Sequence, residues 1–146
     1  MPTATSADPT TIANRLRPAL LRLNRELRRE IHSLGVTGGQ VSLLVQIQDN
    51  PRIGVRDLAN RERMSAPGMS KYVARLEAAG LVRREELEDK RRVGLRLTPE
   101  GERVLHSVKR RRTAWLAARL RTLDEDEVDA VDRAIEPLFK LLEAQP

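Results

Sequence analysis

The central third of the chain constrains the fold most, because caps and breakers divide it into short elements in a defined order. Residues 55–61 (VRDLANR) have the length of one short helix, and Gly54 can serve as its N-cap. Ser65 can cap a second helix with Pro67 in the first turn, where a missing N–H costs nothing. Gly80 can end this second helix in the left-handed conformation that glycine adopts readily. This order predicts a helix-turn-helix.

The second of these helices is predicted to have two distinct faces. Met69, Val73 and Leu76 recur at three- and four-residue steps, which predicts one buried stripe. The outward face then carries small and basic residues, namely Gly68, Ser70, Lys71 and Arg75.

A β-hairpin is predicted directly after Gly80, with one strand at residues 81–86 and the other at residues 93–98. Side chains alternate between the two faces of a strand. We therefore expect Val93, Leu95 and Leu97 to point inward and Gly94 and Arg96 outward. The tip, residues 88–92 (EDKRR), is charged. A helix-turn-helix followed by a basic-tipped hairpin is a winged helix, whose second helix can enter a major groove while the tip reaches a flanking minor groove.

Three motifs surround this hairpin: GLVRR at residues 80–84, DKR at residues 89–91 and LTPEG at residues 97–101. Their order and gapless spacing resemble the MarR family of bacterial transcriptional regulators. That family shows Gly-Leu-Val-x-Arg after the recognition helix, then Asp-x-Arg, then Leu-Thr-x-x-Gly. The helices on both sides also fit the order of the family, so the resemblance covers nearly the whole chain.

The long helices outside this region are predicted from their apolar periodicity. The first begins at residue 10 or 11 and stops at Gly35; Pro18 either kinks it or marks its true start. Thr37 and Gln40 form a capping box that opens a helix at residues 41–49. Thr98 and Pro99 start another long helix, and residues 124–127 cap the last one, which contains Pro137.

These outer helices carry more apolar surface than so small a lobe needs for itself, which suggests a homodimer. The expected architecture is mainly α with a small β wing: a flexible terminus (1–9), a helical dimerisation lobe (10–35 and 99–146) and a DNA-binding lobe (36–98). The alternative is that the helices pack only on their own domain. The resemblance favours the dimer, because in the family these helices interlock. The predicted interface residues are Ile12, Leu16, Leu20, Leu120, Val128, Val131, Ile135, Leu138 and Leu142.

Candidate DNA contacts follow from the winged-helix prediction. The start of a recognition helix normally meets base edges, and Lys71 could contact guanine O6 and N7. Arginines a turn further on or at the preceding helix are better placed for phosphates. An isolated helix with such charges would more often be a solvated face, but the adjacent wing favours DNA contact. The predicted helix contacts are Ser65, Pro67, Gly68, Ser70, Lys71, Arg75, Arg52 and Arg56.

The hairpin tip is the other candidate contact. Lys90, Arg91 and Arg92 suit a narrow, strongly negative minor groove. The resemblance implies that Arg91 is the arginine that inserts there, and that Asp89 shapes the tip by pairing with it or by capping the turn. On the strand, Arg83 and Arg84 are predicted to contact phosphates or to pair with Glu85, Glu86 or Glu88.

Composition sets the outer bounds of function. The 146 residues fit one domain, and a net charge of +6 with a pI of about 10.6 suggests a polyanionic partner. Aromatic residues make up only 2%, which argues against stacking on single strands. The absence of cysteine excludes disulfides, thiolate metal sites and cysteine-based oxidant sensing. There is no apolar run long enough to span a bilayer and no signal-peptide core, so we expect a cytoplasmic, nucleoid-associated protein.

The sequence thus predicts a homodimeric regulator that binds a pseudo-palindromic operator in double-stranded DNA. The resemblance implies a repressor relieved by a small aromatic or anionic effector bound between the two lobes. No catalytic arrangement, cofactor motif or metal-ligand spacing is found, so an enzyme is not expected. Two alternatives remain: a metal-responsive regulator using His32 or His106 with carboxylates, and a winged-helix module for protein contacts without DNA binding.

Overall fold

A computed structural model describes residues 7–89 and 92–144, and it has the predicted winged-helix architecture. Its helices and strands follow one another as α1 (Pro9–Glu30), α2 (Gly38–Asp49), α3 (Val55–Arg61), α4 (Ala66–Ala78), β1 (Val82–Glu86), β2 (Val93–Leu97), α5 (Pro99–Leu120) and α6 (Glu125–Glu143). A short 3₁₀ turn, His32–Leu34, follows α1. Within the described residues, no helix is both long and apolar enough to cross a bilayer.

Local capping accounts for where most helices begin. Thr37 Oγ1 accepts the backbone N–H of Gln40 at 3.1 Å, and the Gln40 side chain accepts that of Thr37 at 3.0 Å. This confirms the predicted capping box, although α2 begins at Gly38 rather than at residue 41. Thr98 Oγ1 accepts the Gly101 N–H at 3.0 Å and caps α5, and Asp124 with Glu127 forms a second capping box at α6; both caps were predicted.

The first helix differs from the prediction at its start. Asp8 is the N-cap and Pro9 the first helical residue, one or two positions earlier than expected. Pro9 suits this place because its missing N–H would have no partner in the first turn. Pro18 therefore lies inside α1 and does not mark its start. Residues 1–6 of the predicted flexible terminus lie outside the described part of the chain.

The two wing strands pair antiparallel, with Val82 opposite Leu97 and Glu86 opposite Val93. Ile53, just before α3, adds a bridge to Leu95 on the other side of β2. The wing is thus tied to the chain segment that enters the helix-turn-helix. Each strand is one residue shorter than predicted: β1 begins at Val82 and not at Leu81, and β2 ends at Leu97 and not at Thr98.

The predicted alternation along β2 is wrong at its first two residues. Val93 is exposed at 37%, whereas Gly94 is buried. The reason is the backbone of Arg52, which crosses directly over Gly94. A Cβ atom at Gly94 would lie 2.7 Å from the Arg52 carbonyl oxygen, closer than real Cβ contacts allow. Only glycine permits this approach.

The hydrophobic core lies between Ile31 and Val108 and joins α2, α3, α4 and the wing to the first half of α5. Leu44, Leu58, Met69, Leu76 and Leu95 are fully buried in it. In contrast, neither α1 nor α6 contains a buried residue. Of the predicted interface residues, five are exposed (Ile12, Leu20, Val131, Ile135, Leu142) and four half-buried (Leu16, Leu120, Val128, Leu138).

Candidate nucleic-acid interface

The α3–α4 pair forms the helix-turn-helix. Ser65 Oγ accepts the backbone N–H of Gly68 at 3.1 Å and so caps α4, as the sequence predicts. Arg63 takes a positive φ of 54° in the turn, and the Met64 N–H donates to the Ala59 carbonyl at 2.9 Å. This turn directs the N-terminal end of α4 away from the core.

The two predicted faces of α4 are present. Met69, Val73 and Leu76 have no exposed surface, which confirms the buried stripe. On the other side, Gly68 is half-buried and most of the candidate contacts are exposed, namely Ser65, Pro67, Ser70, Lys71 and Arg75.

Tyr72 borders this outward surface. Its side chain is 39% exposed, and the guanidinium carbon of Arg75 lies 5.8 Å from the centre of its ring. Position 72 is three residues after Met69 and four before Leu76, so helical spacing alone does not separate Tyr72 from the buried stripe. Arg75 therefore lies over an aromatic ring, and its contact with phosphate remains a prediction.

The wing is anchored to the recognition helix by an ion pair that the sequence analysis did not predict. Arg84 Nε donates to Glu77 Oε1 at 2.7 Å, joining β1 to the last turn of α4. The expected partners of Arg84 were acidic residues within the wing. Arg84 shares the inner face of β1 with buried Val82, so its side chain lies on the face that packs against α4.

A second ion-pair cluster lies on the opposite face of the hairpin. Glu85 pairs with Arg96 across the two strands, and Arg52 Nη2 lies 3.5 Å from Glu85 Oε1. The hydrogen bond from Arg96 and the positive charges of both arginines hold the pKa of the Glu85 carboxyl below its ordinary value. Arg52, predicted as a phosphate contact, is thus engaged with the wing, and its positive φ of 70° places its backbone over Gly94.

Among the described residues, the exposed Arg56 and Arg92 line one cleft between α3 and the hairpin, together with Arg52. The hairpin closes through two backbone hydrogen bonds, from the Leu87 N–H to the Arg92 carbonyl at 3.2 Å and from the Arg92 N–H to the Asp89 carbonyl at 2.8 Å. Lys90 and Arg91, the predicted minor-groove residues, lie outside the described residues. Arg83 is exposed on the outer face of β1.

A separate cavity of about 370 Å³ lies where α1, α2 and α5 meet, lined in part by Arg28, Val41, Val45 and Arg112. Arg112 is half-buried there, and its Nε donates to the Leu27 carbonyl at 3.4 Å. Burial lowers the pKa of the Arg112 guanidinium, and the positive charge of Arg28 lowers it further. Two cations thus share one small cavity between α2 and the outer helices α1 and α5.

The two histidines, His32 and His106, are both exposed. Across residues 7–89 and 92–144, no group of three or more histidine, cysteine or carboxylate side chains is placed to hold a metal ion. The metal-responsive alternative therefore has no assembled ligand set in this part of the chain.

Comparison with known proteins places this geometry in a family. The model of the MarR family matches residues 34–92. An HTH-type transcriptional regulator of Mycobacterium tuberculosis, MT0903.1, is 32% identical over 136 residues, which are 92% of this chain and 95% of that protein.

Solved structures show the same fold. A MarR family protein from Bacillus stearothermophilus superposes with a TM-score of 0.80 at 24% identity, covering 95% of this chain and all of that one. The F27L mutant of Staphylococcus aureus MepR, solved bound to an oligodeoxyribonucleotide, superposes with a TM-score of 0.69 at 17% identity, covering 90% and 97%. With its helix-turn-helix, its basic wing and relatives of nearly full length, this chain belongs to the MarR family of DNA-binding transcriptional regulators and is not an enzyme.

Proposed function

We propose that this protein is a homodimeric repressor that binds a pseudo-palindromic operator in double-stranded DNA in the cytoplasm. The observation that carries the proposal is the outward face of α4, which is exposed and held beside a basic hairpin by the Arg84–Glu77 pair. A recognition helix and a wing in fixed relation can enter a major groove and the adjacent minor groove together. The DNA-bound MepR structure supports this use of the fold.

Lys71 and Ser70 are the base contacts in this proposal, and Arg56, Arg75 and Arg92 contact phosphates. Arg91 enters the minor groove, where the negative potential of a narrow groove favours a guanidinium. Arg52 has a smaller part than the sequence suggested, because Glu85 already offsets its charge.

Homodimerisation is proposed because the apolar surfaces of α1 and α6 remain uncovered in one copy. Phe139 is 64% and Leu142 83% exposed, and Ile135 is 47% exposed on the same side of α6. Such a continuous apolar surface on a soluble chain favours association. A two-fold axis through these helices would set the two recognition helices about 10 bp apart, one turn of DNA.

Charge also favours a second copy as the partner of α6. This helix carries seven carboxylates against two basic residues, whereas α1 carries six arginines against two glutamates. Among the described residues, the one ion pair of α6 is internal, between Lys140 and Glu136. An acidic α6 on the basic helices of a partner would match opposite charges, which improves specificity of association.

The effector site in this proposal is the cavity with Arg28 and Arg112. Two cations beside Val41 and Val45 suit a small anion with an aromatic body. An effector bound there would contact α1, α2 and α5 together. It would thereby change the distance between the two recognition helices of the dimer. Effector and operator would then weaken each other by linkage.

The DNA-binding proposal is tested with purified protein and its own upstream intergenic DNA, against a scrambled duplex, over a salt series. Selective binding with a steep salt slope, reduced in Arg91→Ala, is the expected result. Equal affinity for both duplexes would overturn the operator assignment at that locus. Absence of binding near physiological salt, with Arg91→Ala unchanged, would favour a protein-interaction module instead.

The effector proposal is tested with benzoate, a small aromatic anion, added to the protein–operator complex. Benzoate should release the operator from the parent protein and from Arg111→Gln, but much less from Arg112→Gln. Arg111 is a suitable control because it is exposed and donates to Ser33 Oγ at 2.9 Å, outside the cavity. Equal release from all three proteins would remove the cavity from the proposal and leave DNA binding untouched.

A further inference from the structure

The exposed side of α4, opposite its buried stripe, is partly apolar. A helix with 3.6 residues per turn places Pro67, Lys71 and Ala74 opposite the buried stripe, one above another at four- and three-residue steps. All three are exposed. On this stripe, Lys71 therefore stands between two apolar residues, Pro67 and Ala74.

Neighbouring polar groups of α4 are engaged within the chain. The Ser65 hydroxyl oxygen accepts the Gly68 N–H as the helix cap, and the Arg75 guanidinium lies over the Tyr72 ring. Gly68 has no side chain, so the backbone can come close to DNA at this point without reading a base. In the described part of α4, the exposed polar side chains left near its start are Ser70 and Lys71.

We propose that α4 recognises thymine methyl groups, which Pro67 and Ala74 contact on either side of a Lys71–guanine contact; this inference rests on the proposed operator binding. In the major groove, the thymine C5-methyl is the apolar group that base pairs present, and small apolar side chains contact it. The rise of a helix separates residues 67 and 74 by about 10 Å. That is about three steps of B-DNA at 3.4 Å each. The half-site therefore has thymines within about three base pairs of the guanine that Lys71 contacts.

The test begins with selection of bound duplexes from a random library, because this yields an operator without knowledge of its genomic position. Each thymine of the selected duplex is then replaced by deoxyuridine, which lacks the methyl group but keeps the same pairing edge. Affinity is measured by fluorescence anisotropy at one fixed salt concentration. Removing one buried methyl should weaken binding about fourfold, and removing the symmetric pair about fifteenfold.

Two variants connect the effect to a residue. Ala74→Gly removes the contacting methyl, so the deoxyuridine penalty at one symmetric position should fall below about twofold in this protein. Ala78→Gly makes the same change in the last residue of α4, away from the end that meets base edges, and should keep the full penalty. The thymine-to-deoxyuridine series in the parent protein does not depend on either variant folding.

The outcomes separate this inference from the proposed function. A selected duplex that binds equally well with every deoxyuridine substitution would overturn thymine recognition while operator binding stands. A penalty that is unchanged in Ala74→Gly would overturn the assignment to Ala74. Failure of the library to enrich any sequence would overturn the proposed function and this inference with it.

Discussion

Glu77, in the last turn of the recognition helix, accepts a 2.7 Å hydrogen bond from Arg84 in the first strand of the wing. The two side chains are 34% and 41% exposed, so solvent screens the pair and its contribution to stability is small. Its geometric effect is larger, because it joins the two elements that must reach DNA at the same time. Three further relationships in the fold lead to tests of their own.

Arg84→Met should lower operator affinity about three- to tenfold, because the wing must then be ordered on binding. The free energy of unfolding should change by less than about 1 kcal/mol. The salt slope should stay the same, since a lost phosphate contact would reduce it by about one. Glu77→Gln should weaken binding as Arg84→Met does; tighter binding would mean that Arg84 contacts phosphate instead. Arg83→Met, on the opposite face of β1, is the comparison: it breaks no bond to α4, and if Arg83 contacts phosphate as predicted, this variant should reduce the salt slope by about one.

Glu85→Gln should destabilise the protein at neutral pH, because Glu85 holds Arg52 and Arg96 on the wing. The folded-state pKa of Glu85 lies below the ordinary value of 4.5. Its contribution to stability is therefore complete above pH 4.5 and is lost as the pH falls through the lower, folded-state pKa. Chemical unfolding at several pH values should show the two proteins converge in this acidic range. A stability difference that persisted unchanged at the lowest pH would assign the effect of the substitution to packing.

Gly94→Ala should destabilise the protein by about 1–3 kcal/mol, because the new methyl would be forced against the Arg52 backbone. Gly39→Ala is a matched control within α2, where an added Cβ has its nearest neighbour at 3.8 Å. That control should stabilise the protein by about 0.5–1 kcal/mol through helix propensity. Denaturant unfolding at equilibrium measures both. If Gly94→Ala did not lower the free energy of unfolding, the wing would have shifted to accept the methyl.

Phe139→Glu should convert the proposed dimer to monomer and reduce operator affinity, while the helical circular-dichroism signal of the core is retained. Phe139 is on the same side of α6 as Ile135 and Val128, which lie about one and three helical turns before it. Leu141→Glu is the control, because Leu141 is about as exposed but lies off that side. Sedimentation equilibrium distinguishes the two variants. A Phe139→Glu protein with unchanged mass would show that α6 does not form the interface.

Structural features that depend on residues close together in the chain were well predicted from the sequence. The caps at Thr37, Ser65 and Asp124 each join a side chain to the backbone N–H three positions later, so a short stretch of sequence contains all the information. The buried stripe of α4 follows in the same way from helical periodicity.

The errors in side-chain placement occurred where separate elements meet. The burial of Gly94 depends on Arg52, more than forty positions earlier, and the partner of Arg84 is on another element. Periodicity along β2 alone could not reveal either contact. Phe139 was omitted from the predicted interface because the predicted residues of α6, from Val128 to Leu142, follow one another at alternating three- and four-residue steps. Phe139 lies next to this series and not in it. The predicted DNA and dimer contacts themselves remain predictions, and Lys90 and Arg91 lie outside the described residues.

The uncovered apolar surfaces of α1 and α6 also bear on how the regulator responds to its own abundance. If two copies must meet before two half-sites can be spanned, the number of competent molecules depends on how much chain the cell has made. Each tenfold dilution costs the association about 1.4 kcal/mol at 25 °C. At low copy number, operator occupancy would then rise with the square of the amount of chain, so synthesis rate would set a threshold for silencing even without an effector.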